Sequence, residues 1–199
     1  MAQTTYLDSD MPHADNRWIS LRPPLPDDLP ALMSALKRSR RLHHPWVRVD
    51  ASDVALSRWI ARSADADFQS FVAFDRHAGA PAAVFNLSQI FYGPFCNAYL
   101  GYYALAPYIG HGWTRAALPL LLRCAFGALK LHRIEANIQP ANLASIALVE
   151  GAGFRREGFS PRYLKIGGRW RDHLRYAITA EDWRGQRTRP HAPTPVTAA

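Results

Sequence analysis

The stretch from Asn97 to Phe154 constrains this chain more than any other, because strand and helix patterns follow one another through it almost without a gap. Asn97–Leu105 is rich in aromatic and apolar residues and reads as a strand. Ala106-Pro-Tyr-Ile-Gly-His-Gly-Trp-Thr114 follows, with Gly110 and Gly112 just ahead of a helical pattern. That pattern sets Leu118, Leu121, Leu122, Ala125, Phe126 and Leu129 on one face. A glycine-containing turn between strand and helix lets main-chain N–H groups converge on an anion at the positive end of the helix dipole. The same glycines also suit a plain turn, so the motif alone fits a phosphate site and ordinary punctuation equally well. Leu131–Ile138 alternates as a second strand. Pro140–Ser145 then opens a short helix that stops at Gly151-Ala-Gly153.

Upstream, Trp18–Arg22 reads as a first strand closed by Pro23-Pro24, and Asp27 or Asp28 is placed to cap a helix carrying Leu29, Leu32 and Leu36. Arg41–Trp46 reads as a break, since Pro45 lacks the donor a helix interior needs. Ser52 and Asp53 cap a second helix with Val54, Leu56, Trp59 and Ile60. Phe68–Phe74 and Ala82–Ile90 are strands joined near Gly79, and Phe91-Tyr-Gly-Pro94 turns the chain back into Asn97–Leu105 to give an antiparallel meander. Downstream, Arg162–Ile166 and Arg169–Ile178 flank Gly167-Gly168, a hairpin turn. Pro119 conflicts with its helix, where it normally costs about 3 kcal/mol, and predicts a kink or opening near residue 115.

With 199 residues, 48% of them apolar, the chain supports one core. Residues 1–16 read as a flexible arm, 17–184 as the folded domain and 185–199, rich in Pro, Thr and Ala, as a disordered tail. The polar start carries no signal-peptide pattern, and the most apolar helix, interrupted by Arg115 and Arg123, is too short to span a bilayer. Cys96 and Cys124 lack metal-ligand spacing, so no metal is expected and a cytoplasmic, reduced setting is. The net charge of +8 gathers at Lys37–Arg41 and at Arg184, Arg187 and Arg189. It reads as a solvated face that also attracts polyanions; no motif for sequence-specific nucleic-acid binding is present, and no membrane partner is expected.

The residues from Tyr99 to Trp183, with Asn142, Ser145 and Tyr163-Leu-Lys-Ile-Gly-Gly-Arg-Trp-Arg-Asp-His173, resemble the GNAT-type N-acetyltransferases. Within them the resemblance is to the bacterial branch that acetylates ribosomal-protein N-termini, the S5 alanine acetyltransferase branch. It is looser from Trp18 to Ile90 and leaves out both tails. It implies a single α/β domain whose mixed antiparallel and parallel sheet is flanked by helices, with acetyl-CoA as the donor.

By that resemblance the pantetheine arm lies along Tyr102, Tyr103, Ala104 and Leu105, and the Leu105 N–H polarises the thioester carbonyl. The pyrophosphate rests on N–H groups of Ile109, Gly110, His111, Gly112, Trp113 and Thr114, and Asn142 contacts the pantetheine. Ser145 protonates the departing thiolate, with Tyr163 as a substitute, because Val149 stands where many relatives carry a tyrosine. His43, His44 and Trp46 in the loop between the first two helices, together with Asn86, Tyr92 and Tyr102, are the acceptor-side candidates. The loop departs from the family pattern, with Ile109 in place of Gln or Arg and Thr114 in place of a small residue. A general base is not evident: Leu164 stands where some relatives have glutamate, and Glu135 and Glu157 are the acidic candidates.

A missing base is tolerable for one acceptor class. At pH 7 a peptide α-amine is roughly 10–20% neutral, a lysine under about 0.1%. The acceptor expected first is the N-terminal α-amine of a protein, a ribosomal protein by the resemblance; the alternatives are a small-molecule amine such as an antibiotic or metabolite, or a CoA-binding regulatory module with little catalysis. A monomer or homodimer fits equally.

Overall fold

A computed structural model describes residues 12–185 and 192–196. Chain order gives β1 (Ala14–Asp15), β2 (Ile19–Arg22), α1 (Leu29–His43), α2 (Asp53–Arg62), β3 (Phe68–Asp75), β4 (Pro81–Phe91) and β5 (Asn97–Ala104). Then come α3 (Trp113–Arg123), β6 (Arg133–Ile138), α4 (Leu143–Gly151), β7 (Arg155–Ile166), β8 (Arg169–Thr179) and α5 (Ala180–Gly185). The eight strands form one sheet in the order β1-β2-β3-β4-β5-β6-β8-β7. Its one parallel pair, β5 with β6, makes the expected mixed sheet.

Period-2 alternation in the central strands divides the core into two layers. Phe71, Ala73 and Phe85 pack with Ile19, Leu21 and the α3 residues Leu118, Leu121 and Leu122. Val72, Phe74 and Val84 point the other way, against Leu32 and Leu36 of α1 and Leu56 of α2. Coverage on both faces explains why all eight residues of β3 are buried although the strand is antiparallel to its neighbours.

The helices start for identifiable reasons. Ser52 caps α2 by accepting the Ala55 N–H at 3.3 Å, as its position suggested. Asp28 makes no side-chain cap for α1. Its carboxylate instead takes a two-pronged contact from Arg22, at 2.7 and 2.8 Å, and the Leu25 N–H at 2.7 Å, closing the turn ahead of the helix. The first helix also runs through Arg41 to His43 rather than breaking there, which continues the buried stripe Leu32, Leu36, Ser39, His43. Helix α3 is assigned unbroken across Pro119, and a π-helical turn, Cys124–Ala128, follows it.

Two terminal expectations change. Ala14 and Asp15, expected in the loose arm, pair with Leu21 and Ser20, and Ala14 is buried. In the tail, Pro193 is buried and Val196 packs against the core. The remaining arm and tail residues, 1–11, 186–191 and 197–199, lie outside the described residues. Among the described residues no helix is long and apolar enough to cross a membrane.

Candidate functional site

Strands β5 and β6 pair in parallel only over Asn97–Tyr99 and Arg133–Glu135, and then part. A cavity of about 450 Å³ adjoins the opening, bounded by the end of α1, the second half of β5, the loop into α3 and the first two turns of α4. Of the expected site residues it is lined by His43, Trp46, Tyr102, Tyr103, Ala104, Ile109, Gly110, Gly112, Trp113, Thr114, Asn142 and Ser145.

The loop wall is built mostly from backbone. Gly110 and Gly112 take φ values of +82° and +79°, a region closed to most side chains, and Gly112 is the residue from which α3 departs. The first intrahelical acceptor is used by Ala116, whose N–H donates to Gly112 O at 2.9 Å. The N–H groups of Trp113, Thr114 and Arg115 therefore head the helix without an acceptor of their own in it, at its positive end. His111 does not belong with them: its N–H donates to Tyr108 O at 3.3 Å, and the residue does not line the cavity.

Aromatic packing and the tail hold this loop. Trp113 and Tyr108 meet edge to face at 4.8 Å, and the Tyr108 hydroxyl donates to Asp75 at 3.1 Å. The Trp113 indole N–H donates to Thr194 O at 3.0 Å, while the Thr194 N–H donates to His111 O at 2.9 Å. The Trp113 side chain is thus a structural anchor, and only its main chain is offered to a ligand.

On β5, the expected role of the Leu105 N–H is corrected by the ladder. That N–H donates to Ala82 O at 2.8 Å, and Leu105 is fully buried away from the cavity. Antiparallel pairs alternate, so the main-chain groups of Ala104 and Tyr102 turn away from β4, toward the opening. The Ala104 carbonyl confirms this by accepting a hydrogen bond from His43 Nε2 at 2.8 Å.

On α4, Asn142 Oδ1 accepts the Ser145 N–H at 3.2 Å and so caps the helix while the residue faces the cavity. The Tyr102 hydroxyl crosses the opening to donate to Ser145 O at 3.1 Å. Burial pushes the Tyr102 phenol up to about 12, so it stays protonated at neutral pH. Burial likewise raises the Tyr103 phenol.

The other expected residues sit elsewhere. His44 is exposed and outside the lining. Asn86 accepts the Trp59 indole N–H at 2.9 Å on the α2 side of the sheet. Tyr92 is 55% exposed at the β4–β5 turn. Tyr163 packs 5.7 Å from the His173 ring on the terminal hairpin and does not reach the cavity. Val149 is buried in the core.

Tyr108 and Arg115 also line the cavity and were not read as donor contacts; the apolar Leu42, Val47, Ala144, Ala147 and Leu148 complete its walls. Tyr108 has no signal beyond its position in the loop. Arg115, exposed at the cavity mouth, was legible in principle: it stands in the first helical turn after the glycines, where an anion-binding helix gains from a cation. It supplies a charge close to the loop whose leading side chain is only Ile109. Among the described residues no carboxylate lines the cavity.

A family model described as an acetyltransferase (GNAT) domain matches residues 19–155. The chain is 41% identical over 97 residues to a probable N-acetyltransferase, YjcK, of Bacillus subtilis, covering 49% of this chain and 54% of that protein. It is 37% identical over 113 residues to the ribosomal protein uS5-alanine N-acetyltransferase of Escherichia coli, covering 57% and 58%. The matched region thus spans little more than half the length of these curated relatives. Among solved structures, RimJ of Mycobacterium smegmatis in complex with CoA-disulfide superposes with a TM-score of 0.77 at 29% identity, covering 85% of this chain and 88% of that one.

Proposed function

Because the chain belongs to the GNAT acetyltransferase domain family, whose members use acetyl-CoA, we propose that it transfers the acetyl group of acetyl-CoA to the N-terminal α-amine of a protein. The observation that carries the proposal is the continuity of one cavity, from the N-terminus of a helix to the open edge of a strand. A polyanionic thioester needs both ends of that arrangement: N–H donors for its phosphates and an unpaired edge for its amide-bearing arm.

In this reading the N–H groups at the head of α3 and the Arg115 guanidinium hold the pyrophosphate. The arm lies against Tyr102–Ala104, with Asn142 beside it. The Ala104 N–H, rather than that of Leu105, polarises the thioester carbonyl as negative charge develops on its oxygen. Ser145, whose main chain is fixed by Asn142 and Tyr102, returns a proton to the leaving sulfur. Trp46 and Tyr103 form the acceptor wall.

Without a carboxylate among the described lining residues, strongly cationic polyamines would meet Arg115 with no counter-charge and are disfavoured. It suits a peptide terminus that already has a neutral fraction at pH 7. A net charge of +8 suits approach to a substrate carried on RNA, and a ribosomal protein in the cytoplasm is the acceptor we propose.

Release of free thiol from acetyl-CoA tests this against short peptides with Ala, Ser or Met N-termini, an N-blocked lysine peptide, polyamines and aminoglycosides. Turnover confined to free N-termini is expected. Turnover with small amines alone would keep the donor site and move the acceptor to metabolism or detoxification, while donor binding without turnover on any acceptor would favour a regulatory module.

A further inference from the structure

We infer that His43 is the general base of this site, taking a proton from the acceptor amine on its Nδ1; the inference rests on the acetyltransferase reading above. His43 is the last residue of α1 and is only 7% exposed, yet it lines the cavity. Its position is fixed from two sides. The ring meets Tyr103 edge to face at 5.0 Å, and Nε2 lies 2.8 Å from Ala104 O. A carbonyl oxygen only accepts, so Nε2 carries the hydrogen and the basic lone pair of the neutral ring is on Nδ1. Nδ1 has no partner among the described residues and is not among their sealed, unsatisfied atoms.

The helix behind it is pinned as well. Ser39, one turn earlier, donates to Ala35 O at 2.7 Å and accepts the Ala106 N–H at 2.8 Å, tying the end of α1 to the end of β5. The same Ala104 whose carbonyl orients the imidazole presents its N–H toward the opening, so the base and the carbonyl-polarising group are set by one residue.

The other titratable groups of the lining do not compete. Tyr102 and Tyr108 are each pushed up to about 12 and Tyr103 is also raised, so all three phenols are neutral at pH 7. Arg115 is a permanent cation. On α1, Arg40 and Arg41 precede His43 and are exposed.

The step balances as follows. The amine nitrogen attacks the thioester carbonyl carbon, forming the C–N bond, and its N–H proton passes to His43 Nδ1. The C–S bond then breaks, the sulfur leaves with the bonding pair and takes the Ser145 hydroxyl proton, the imidazolium gives its proton to water, and water restores the proton of Ser145. The products are the amide and the free thiol.

Two variants separate chemistry from packing. In His43→Gln the side-chain amide still donates to Ala104 O but supplies no base. In His43→Ala the ring space is open to added imidazole. We expect kcat of H43Q to fall about 100-fold or more, with acetyl-CoA affinity, measured by direct titration, within about twofold of the parent. We expect H43A to recover turnover in proportion to free imidazole. Parent-like kcat in H43Q, loss of acetyl-CoA binding in both variants, or an H43A protein indifferent to imidazole would overturn the assignment. Failure of the parent protein on every amine would instead refute the acetyltransferase reading itself.

Discussion

The two walls of the cavity are made by different means. The wall proposed for the donor is mainly backbone: two glycines at positive φ, the head of α3 and the open edge of β5. The wall proposed for the acceptor is mainly side chains, His43 and Trp46 around the end of α1 set against Tyr103. A backbone wall tolerates many side chains but few conformations. A side-chain wall is the reverse, and in the proposed reading this difference would separate recognition of a common donor from choice of acceptor.

The sharpest way to break the comparison is Gly112→Val. A β-branched residue at φ +79° is strained before any ligand is considered, and it would crowd the head of α3. The apparent KM for acetyl-CoA should rise at least about tenfold, the equivalent of about 1.4 kcal/mol. Unchanged affinity by titration would mean the phosphates bind elsewhere. Ser145→Ala keeps every main-chain bond of its turn, so kcat should drop by about tenfold with donor affinity unaltered; parallel losses of both would make the residue structural.

A milder effect is expected from deleting residues 186–199, which removes the Thr194 bonds to His111 and Trp113. KM for acetyl-CoA should rise a fewfold, about 1 kcal/mol, while kcat holds. A fall in kcat alone would place the tail on the acceptor side. Tyr102→Phe is the smallest. Loss of the bond to Ser145 O should cost about 1 kcal/mol and about 2–4 °C in Tm. Because the folded phenol sits near 12 and the unfolded one near 10, its contribution is whole below about pH 10 and is lost as pH rises toward 12. The parent should therefore lose more stability than the variant over that window in alkaline melts.

The glycine loop was legible as a local pattern, and on the facing wall His43 and Trp46 were named together with His44, which the structure leaves outside the cavity. Gly110, Gly112 and the strand–helix boundary are local patterns, as is Gly167-Gly168, which takes φ values of +59° and +82° in the last hairpin. What failed locally was register. Whether Ala104 or Leu105 faces the opening depends on which residues bond β4, and a one-residue change reverses every amide. On the acceptor side, His43 and His44 are adjacent in sequence, and only the length of α1 decides between them. The stripe Leu32, Leu36, Ser39, His43 was present at helical spacing, but Pro45 argued for an earlier end. The docking of Thr194 had no sequence signal, because a Pro- and Thr-rich tail gains its hydrogen bonds from a loop about 80 residues away.

The parting of β5 from β6 after three residue pairs leaves a gap in the middle of an otherwise continuous eight-stranded sheet. Strand edges normally invite unwanted partners and are shielded at the rim of a fold; here one is kept inside, guarded by α4 and the Tyr102–Ser145 bond. An extended ligand with amide groups would act there as a missing strand, mending the sheet as it binds. Occupancy and mechanical integrity would then be the same event, and at a hundred times Kd the fold would gain about 2.7 kcal/mol by mass action. A resting protein of this design is, in effect, a sheet completed on demand.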